Sequence, residues 1–479
     1  MRPFAILCVS SLLSLAAAAA APTFNHDVAP ILFRQCATCH RPGEVAPFSL
    51  LSYQDAAKRA QLIAAVTENR VMPPWKAEPG QPAFANERRL TPREIDTIRA
   101  WAKAGAPEGA PQEKPKPPVF ASGWQAGQPN EVLTVGQPVE VAPDGPDQYR
   151  CFVLPRHAES DVYVRGVEFR PGNARVVHHA LVFLDSSGTA RKLAANSKDG
   201  SYACFGGPGF PPSGMIAGWA PGATPALDPA EWAQPIPKSS DIVVQIHYHP
   251  SGKREQDRSS LGLTFSGPPT KGRAAITLFN RRIDIQPGDA HYVVRASVAV
   301  PRDVDLYGIT PHAHYLGKDM KVDAHLPDGT TKHLIWIKDW DFNWQGQYRY
   351  QELVHLPKGT RIELEYVYDN SESNPHNPSQ PPVRVTWGEE TKNEMALAFL
   401  GVVLPSPADV PGFQRAMRLQ YLDSLLSSGF GLADLPSNVQ GIDQQRLRRV
   451  FQMFDRNGDG RLDDDERESL LQLLRSRGR

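Results

Sequence analysis

The middle of the chain alternates hydrophobic and polar residues with a period of two. From Phe120 to about Pro405, runs rich in β-branched and aromatic residues are separated by turns rich in proline and glycine. Because successive side chains of a strand point to opposite faces, this pattern predicts antiparallel strands with one buried face. The length of the region predicts two packed β-sandwich domains. The four clearest runs are DVYVRGVEF (161–169), VVHHALVFL (176–184), DIVVQIHYH (241–249) and RIELEYVYD (361–369).

Helical patterning replaces this alternation at both ends of the chain. The clearest predicted helix lies within Leu90–Gly105, with Thr91 as its N-cap and Pro92 in its first turn. A spacer rich in proline and charge follows, and helical spacing returns after Ser406. The pattern therefore predicts a multidomain protein. Its predicted segments are a signal peptide (1–21), an all-α domain (22–109), a linker (110–122), two antiparallel, jelly-roll-like β-sandwiches (123–268 and 269–405), a helical linker (406–440) and a short α-helical tail (441–479).

Composition excludes several classes of function. The 52 basic residues balance 52 acidic ones, so no global field attracts nucleic acid or an anionic membrane surface. A hydrophobic fraction of 41% and a charged fraction of 22% are those of an ordinary globular protein. Beyond the first 21 residues no apolar run reaches the ~18 residues of a membrane span, and we expect no stable membrane insertion.

The N-terminal 21 residues have the features of a cleaved secretory signal. Arg2 precedes an apolar run that ends in alanines, so we expect cleavage near Ala19–Ala21, with loss of Cys8. An uncleaved anchor is the alternative. The mature protein is then expected in the periplasm or outside the cell, where disulfides are permitted.

Cys36-Ala37-Thr38-Cys39-His40 is a CxxCH motif. Two thiols at this spacing can add to both vinyl groups of haem, and the next histidine becomes the proximal iron ligand. Met72, in the stiff loop VMPPW, is the predicted sixth ligand, and filling a gap in the core is its alternative role. A redox or zinc dithiol is the alternative for the two cysteines, and His26 is a weaker rival ligand.

Taken together, the CxxCH motif, the Met72 loop and the following helix resemble a monohaem class I cytochrome c. The resemblance covers residues 22–109. It implies an all-α domain with covalently bound haem c.

Three histidine pairs fall within the β region. A His-x-His on a strand places both rings on one face, which makes a natural chelate for a transition metal. The adjacent pair needs a bulge or a strand end to bring its rings together. Met395, near the end of the region, offers a thioether, which favours Cu(I). The pairs are His178-His179, His247 with His249, and His312 with His314.

Five motifs occur in a fixed order along this region: VVHHALVF (176–183), GWAPGA (218–223), QIHYHP (245–250), PHAHYLGK (311–318) and EETKNEM (389–395). Their order resembles the copper type II, ascorbate-dependent monooxygenases, the family of dopamine β-hydroxylase and peptidylglycine α-hydroxylating monooxygenase. The resemblance covers residues 125–405 and implies two β-sandwich domains, each with one copper, facing across a solvent cleft. It implies an electron-transfer copper on His178, His179 and His247. It implies a catalytic, oxygen-binding copper on His312, His314 and Met395.

The chain departs from this family in several places. Thr310 stands where the peptide-amidating members carry an arginine that helps to hold a substrate carboxylate, which argues against a C-terminal glycine peptide as substrate. Only two cysteines remain in the β region, Cys151 and Cys204, and their pairing is left open. His249 is expected outside the ligand set, and Met320 is the rival to Met395.

Residues 455–466 match the pattern of a calcium-binding loop and resemble an EF-hand. Arg461 would contribute its backbone carbonyl, and Gly460 supplies the sharp turn. A solvated acidic loop is the alternative, and the usual second loop of a pair is not found. The side chains that offer oxygen ligands are Asp455, Asn457, Asp459, Asp463 and Glu466.

The combined expectation is an exported oxidoreductase that hydroxylates a C–H bond of a small organic substrate with dioxygen. It would use two copper ions, a haem c that serves as electron donor, and calcium in the C-terminal loop. An external electron donor is a further expected partner. The alternatives are an electron-transfer or redox-sensing protein without turnover, and a copper-storing protein.

Overall fold

The computed structural model describes residues 21–80, 82–121, 123–156, 158–388, 390–427, 430–431 and 444–476, except the side chains of 444–447. The predicted signal peptide therefore lies outside the described residues, apart from Ala21. Two compact units divide the chain. The first unit contains residues up to Pro73 together with Arg88–Pro118, and the second contains Pro74–Glu87 together with the residues from Val119 onward.

The described residues form eight α-helices and twenty-one β-strands. The helices are α1 (Ala29–Gln35), α2 (Tyr53–Ala57), α3 (Ala60–Glu68), α4 (Pro92–Lys103), α5 (Thr189–Leu193), α6 (Val410–Ser427), α7 (Gln444–Phe454) and α8 (Asp464–Ser476). The strands up to residue 266 are β1 (Glu131–Thr134), β2 (Val139–Val141), β3 (Gln148–Leu154), β4 (Val162–Arg170), β5 (Val177–Asp185), β6 (Ser201–Ala203), β7 (Gly214–Trp219), β8 (Gln234–Ile236), β9 (Asp241–Tyr248), β10 (Glu255–Asp257) and β11 (Ser260–Ser266). The later strands are β12 (Gly272–Phe279), β13 (Asp284–Ile285), β14 (Tyr292–Ala299), β15 (Val304–His312), β16 (Gly317–His325), β17 (Thr331–Ile337), β18 (Tyr348–Leu356), β19 (Arg361–Tyr368), β20 (Val385–Thr386) and β21 (Leu397–Leu404).

The first unit contains α1 to α4. Thr91 caps α4 as its sequence predicts: its side chain accepts from the backbone N–H of Glu94, and the Glu94 carboxylate accepts from the backbone N–H of Thr91. Trp101 is fully buried and donates from Nε1 to the carbonyl oxygen of Pro107 at 3.0 Å. Phe24 packs against it, with ring centroids 6.1 Å apart. The core of this unit therefore joins α4 to the helical turn Phe24–Val28.

The predicted fold class is wrong in its N-terminal part, because residues 22–109 do not form a self-contained all-α domain. The segment 74–87 belongs to the second unit and pairs with β strands there. Ala85 N donates to Arg349 O on β18 at 2.8 Å, and Glu78 N donates to Trp336 O on β17 at 2.7 Å. The sequence pattern did not predict this pairing, because the segment is rich in proline, has no hydrophobic period of its own and lies between two stretches with a helical pattern.

The second unit is mostly antiparallel β-sheet. Residues 131–266 form a five-stranded sheet, β6-β3-β9-β5-β7, and a four-stranded sheet, β1-β11-β4-β8. Residues 272–404 form two more four-stranded sheets, β12-β21-β15-β18 and β14-β19-β16-β17. Two small sheets, β10-β2 and β13-β20, complete the unit. The five-stranded sheet matters most for the site, because β5 and β9 lie side by side within it.

The prediction of two β-sandwiches fits only in part. Each half of the unit has two larger sheets and a hydrophobic core of its own. The core of the second half, however, also includes Ala77 and Phe84 from the segment 74–87 and Phe413 from α6. The second half is therefore completed by residues from outside the predicted sandwich. The overall class is a mostly β protein with short helices, in place of the predicted series of all-α and sandwich domains.

The C-terminal helices have a small core of their own. Leu426 of α6 packs with residues of α7, α8 and the loop between them, among them Phe451, Leu462 and Leu470. Arg467 of α8 pairs with Asp423 of α6 at 2.8 Å. Within the described residues, no helix is long and apolar enough to span a membrane.

Candidate functional site

Neighbouring strands of the five-stranded sheet bring three histidines together. One ring nitrogen from each of His178, His179 and His247 lies within 4.8 Å of the other two. The ladder between β5 and β9 shifts register between Val177 and His179, which face Tyr248 and His247 respectively. This bulge allows the adjacent His178 and His179 to turn toward the same point, as joint metal ligation requires.

The inward-facing nitrogens of this triad are its Nδ1 atoms. His179 Nδ1 lies 3.2 Å from Nδ1 of His178 and 3.2 Å from Nδ1 of His247. On the far side of the His247 ring, Nε2 lies 2.6 Å from Asp147 Oδ2. A carboxylate only accepts, so Nε2 of His247 carries the proton and its Nδ1 keeps a free lone pair. A carboxylate behind a histidine is the arrangement that orients imidazoles toward metals.

The triad is neutral at physiological pH. Burial lowers the pKa of His247 to about 4 and the pKa of His179 well below its usual value. Burial also lowers the pKa of His178. Burial opposes ionisation of Asp147, but hydrogen bonds from His249 and His247 lower its pKa overall. Neutral imidazoles beside an ionised carboxylate are the protonation states that metal binding needs.

The second histidine pair lies at the end of β15. His312 Nδ1 is 2.5 Å from Gln345 Oε1, and His314 Nδ1 is 2.9 Å from the carbonyl oxygen of Asn393. Both partners are acceptors here, so both Nδ1 atoms are protonated and the lone pairs lie on Nε2. The rings stand edge to face with centroids 5.2 Å apart. Burial lowers the pKa of His312 to about 4 and also lowers that of His314.

Glu394 joins this pair to Met395. Its carboxylate is fully buried and accepts from the backbone N–H groups of His314 at 2.8 Å, Leu316 at 2.7 Å and Met395 at 3.1 Å. Burial raises the pKa of Glu394 to about 8, and these N–H donors act in the opposite direction. Tyr368 donates its hydroxyl to the carbonyl oxygen of Met395 at 2.6 Å. The segment that carries Met395 is thus fixed to the end of β15 by several bonds.

The rivals to these residues lie elsewhere. Met320 is fully buried in the core of the second half. His249 is exposed and bonds from Nδ1 to Asp147 Oδ1 at 2.7 Å, outside the triad. Cys151 and Cys204 form a disulfide with Cα atoms 5.8 Å apart, which answers the question that the sequence left open.

A cleft of about 1270 Å³ within the second unit is lined by His178, His247 and His249. Its walls come from both halves of the unit, with Asp147 and His178 on one side and Tyr315 and Phe342 on the other. Phe342 meets the ring of His314 edge to face at 5.6 Å. The cleft thus borders the first histidine cluster directly, and Phe342 connects its other wall to His314 of the second pair.

The CxxCH segment of the first unit begins at the C-cap of α1, and both of its thiols are unpaired. His40 lies in the turn that follows α1, and its Nδ1 is 3.1 Å from the carbonyl oxygen of Phe48, so Nε2 keeps its lone pair. Cys36 and Cys39 are unpaired thiols, and burial raises the pKa of Cys36 to about 12 and also raises that of Cys39. Such thiols stay protonated, which does not suit a reactive dithiol. Met72 is half-buried and His26 is exposed.

The loop between α7 and α8 contains a buried carboxylate oxygen that has no hydrogen bond among the described residues. Asp455 Oδ1 is buried and makes no hydrogen bond within the described residues. Glu466 is buried and accepts from the backbone N–H groups of Arg456 at 2.6 Å and Asp463 at 3.0 Å. Gly460 has a φ of 78°, in the left-handed region that favours glycine. Asn457, Asp459 and Arg461 lie along the same loop, linked by bonds from Asp459 N to Asn457 Oδ1 at 2.9 Å and from Arg461 N to Asp459 Oδ1 at 2.8 Å.

Sequence reasoning missed the residues that orient these histidines. Asp147 lies in a turn before β3, far from His247 in sequence, and nothing in its local pattern marks it. Gln345 and Asn393 each accept one hydrogen bond from a histidine, and nothing in their local sequence marks them either. Glu394 directly precedes Met395, but an acidic residue at that position would be expected at the surface, and the sequence does not single it out.

Similarity to known proteins is limited. No family model matches the chain. The chain is similar to the DBH-like monooxygenase protein 1 of Gallus gallus, with 25% identity over 293 residues, covering 54% of this chain and 44% of that protein. The chain thus spans less than half the length of this relative.

Solved structures give weaker matches. PNGF-II aligns with a TM-score of 0.26 and 10% identity over 57% of this chain and 65% of that chain. The VP2 subviral particle of infectious bursal disease virus aligns with a TM-score of 0.18 and 12% identity over 59% of this chain and 73% of that chain. TM-scores this low do not establish a common fold.

Proposed function

We propose that this protein is a copper-dependent monooxygenase that hydroxylates a C–H bond of a small organic substrate with dioxygen. The observation that carries the proposal is the convergence of the His178, His179 and His247 nitrogens beside a cleft. The similarity to a DBH-like monooxygenase supports the same reaction class. Incorporating one oxygen atom and releasing the other as water consumes two electrons and two protons beyond the substrate and dioxygen.

The two histidine clusters fit copper with different ligand sets. His178, His179 and His247 would hold one ion through Nδ1 atoms. His312 and His314 would hold the second through Nε2 atoms, with Met395 as the thioether ligand. Copper supplies one-electron transfer and dioxygen activation when it is bound in such sites. The thioether would bias the second site toward Cu(I).

The chain's own residues orient the ligands and form the substrate cleft. Asp147 holds the His247 ring in one orientation and one tautomer. Gln345 does the same for His312, and Glu394 fixes the backbone on both sides of the second site. Tyr149, Phe205, Tyr315 and Phe342 line the cleft and give it aromatic walls. These positions are set before any substrate arrives, which reduces the entropic cost of reaching a reactive geometry.

We also propose that Cys36, Cys39 and His40 hold a covalent haem c, with Met72 as the sixth ligand. The haem would supply electrons one at a time, with an external reductant as its source. The Cys151–Cys204 disulfide supports an oxidising location, and we propose that the protein is exported to the periplasm or beyond.

Calcium is proposed for the loop of Asp455, Asn457, Asp459, Arg461 and Glu466. The unpaired, buried Asp455 oxygen supports it, since such an atom is costly without a hydrogen bond or a cation. The ion would stabilise the packing of α7 and α8 and would take no part in the oxygen chemistry.

The test uses the full chain loaded with copper, ascorbate as reductant, a panel of small organic compounds, and ¹⁸O-labelled dioxygen. A product that carries a single labelled oxygen atom is expected, and a Met395→Ala variant should lose it. A Met453→Ala variant is the matched control, because Met453 is exposed on α7. Reversible copper reduction without a labelled product from any compound would instead favour an electron-transfer protein.

A further inference from the structure

Two aromatic walls line the cleft, and none of their four side chains is among the proposed metal ligands. In the first wall, Tyr149 stacks on His247 with ring centroids 4.2 Å apart, and Phe205 meets Tyr149 edge to face at 5.0 Å. In the second wall, Tyr315 and Phe342 pack with centroids 4.5 Å apart. All four of these aromatic side chains border the cleft. Each histidine cluster therefore has its own aromatic pair facing the same space.

The backbone next to Phe205 is held by a disulfide, yet the ring of Phe205 is exposed to solvent. Its side chain is 53% exposed, although an apolar ring in water is unfavourable. Cys204 directly precedes it and is tied to Cys151 on β3 by the disulfide. Tyr202 donates its hydroxyl to the carbonyl oxygen of Pro208 at 2.6 Å and closes the loop from the other side. A ring fixed at the edge of a cleft in this way is a ready contact surface for an apolar ligand.

The charged side chains of the cleft already have partners. Asp147 is bonded to two histidines, one at each oxygen. Arg150 pairs with Asp199 at 2.6 Å. Lys392 pairs with Glu390 at 2.8 Å. Among the described residues of the cleft wall, a charged ligand would have to displace one of these pairs to gain a counter-charge.

We propose that the substrate of this cleft is an uncharged aromatic molecule, held between the Tyr149–Phe205 wall and the Tyr315–Phe342 wall. This inference rests on the proposed monooxygenase function, because it names the substrate class of the same site. Aromatic rings recognise each other through stacked and edge-to-face contacts, which a flexible aliphatic ligand cannot reproduce. An ammonium or carboxylate group on the ligand is disfavoured, since it would lose water without gaining an oppositely charged side chain that is not already paired.

The test compares four ligands of similar size on the wild-type, full-length protein loaded with Cu(I) under anaerobic conditions. They are 4-propylphenol, tyramine, 3-(4-hydroxyphenyl)propanoate and 4-propylcyclohexanol, and each Kd is measured by calorimetry. We expect 4-propylphenol to bind at least tenfold more tightly than either charged analogue and several-fold more tightly than the cyclohexanol. Tighter binding of tyramine or the carboxylate would overturn the inference that the ligand is uncharged. Equal binding of 4-propylcyclohexanol would overturn the role of the aromatic walls.

Two variants locate the binding site. Phe205→Leu and Phe342→Leu should each raise the Kd for 4-propylphenol several-fold, whereas Tyr421→Leu should not, because Tyr421 is exposed on α6 and does not line the cleft. Unchanged affinity in both phenylalanine variants would overturn the proposal. The failure of the monooxygenase function is seen separately: 4-propylphenol would bind as expected, yet no labelled product would form from any compound when dioxygen is admitted.

Discussion

Replacing Asp147 with asparagine tests how the first histidine cluster is organised. In the native chain both carboxylate oxygens accept from imidazole N–H groups, at 2.6 Å from His247 and 2.7 Å from His249. An asparagine offers one acceptor oxygen and one NH₂ donor, so it can satisfy only one of the two rings in its native tautomer. If the amide donates to Nε2 of His247, the proton of that ring moves to Nδ1, where the metal would bind.

The expected loss follows from the kind of bond removed. Hydrogen bonds to a charged group contribute about 1.5–3 kcal/mol. Loss of a carboxylate behind a metal-bound histidine typically weakens metal affinity by roughly 10–100-fold. We therefore expect Asp147→Asn to weaken copper binding at the first cluster by roughly 10–100-fold. Binding at the second cluster should stay unchanged, because His312 and His314 donate to oxygens of Gln345 and Asn393 and do not bond to Asp147.

The assay is competition for Cu(I) against a chromophoric chelator, together with electron paramagnetic resonance of the Cu(II) form. His249→Ala should have a small effect, below about threefold, because His249 is exposed and touches only the far oxygen of Asp147. Asp161→Asn is the matched control, since Asp161 accepts a single backbone N–H at an exposed position, 2.8 Å from Lys238 N. Unchanged copper affinity and an unchanged resonance spectrum in Asp147→Asn would refute the tautomer argument. An equal loss in His249→Ala would show that the two histidines act together.

Three further predictions concern the remaining sites. Met395→His should keep the second copper but favour Cu(II), since imidazole stabilises that state more than a thioether does, and copper counting with potentiometry measures both effects. Glu394→Ala should lower the free energy of unfolding by about 3 kcal/mol or more in denaturant titrations, because three buried N–H donors lose their acceptor at about 1–3 kcal/mol each. The copper-free protein should lose stability as the pH falls from 6.5 toward 4. The reason is that His247 and His312 have a folded-state pKa of about 4, so the unfolded chain binds more protons than the folded chain in this pH range. Denaturant midpoints that do not change across this range would contradict the assignment.

The strands and the histidine motifs could be recognised in the sequence because each is marked by a local pattern of residues. Alternation with period two marks a half-buried strand directly, as in Arg361–Tyr368, which is strand β19. The His247-Tyr248-His249 pattern was equally visible, and the resemblance to the copper monooxygenases led to the expectation that His249 lies outside the ligand set. Of these two histidines, only His247 belongs to the triad. His249 lies just beyond the end of β9, where it is exposed and its ring is hydrogen-bonded to Asp147.

The hydrogen-bond partners of these histidines could not be predicted from the sequence, for a physical reason. The hydrogen bond that His247 donates to Asp147 joins positions 100 residues apart in the chain, and nothing in the sequence distinguishes this carboxylate from the many others. The burial of Glu394 could not be predicted from the sequence either. A buried carboxylate normally costs free energy, so a sequence argument would place it at the surface, and only its three backbone donors explain its burial.

The segment 74–87 shows why the predicted boundary at residue 109 is not where one folding unit ends. Strands β17 and β18 are the outer strands of their sheets, and an uncovered outer strand exposes unpaired N–H and C=O groups. This segment supplies partners to both, through Glu78 on β17 and Ala85 on β18, while Phe84 stacks on Tyr350 with ring centroids 5.4 Å apart. The β unit therefore depends on residues that precede the linker by more than twenty positions. A truncation that begins after the linker would leave both edges open and remove an aromatic ring from the core, so the helical N-terminal part and the β part are interwoven along the chain and do not separate at a single linker.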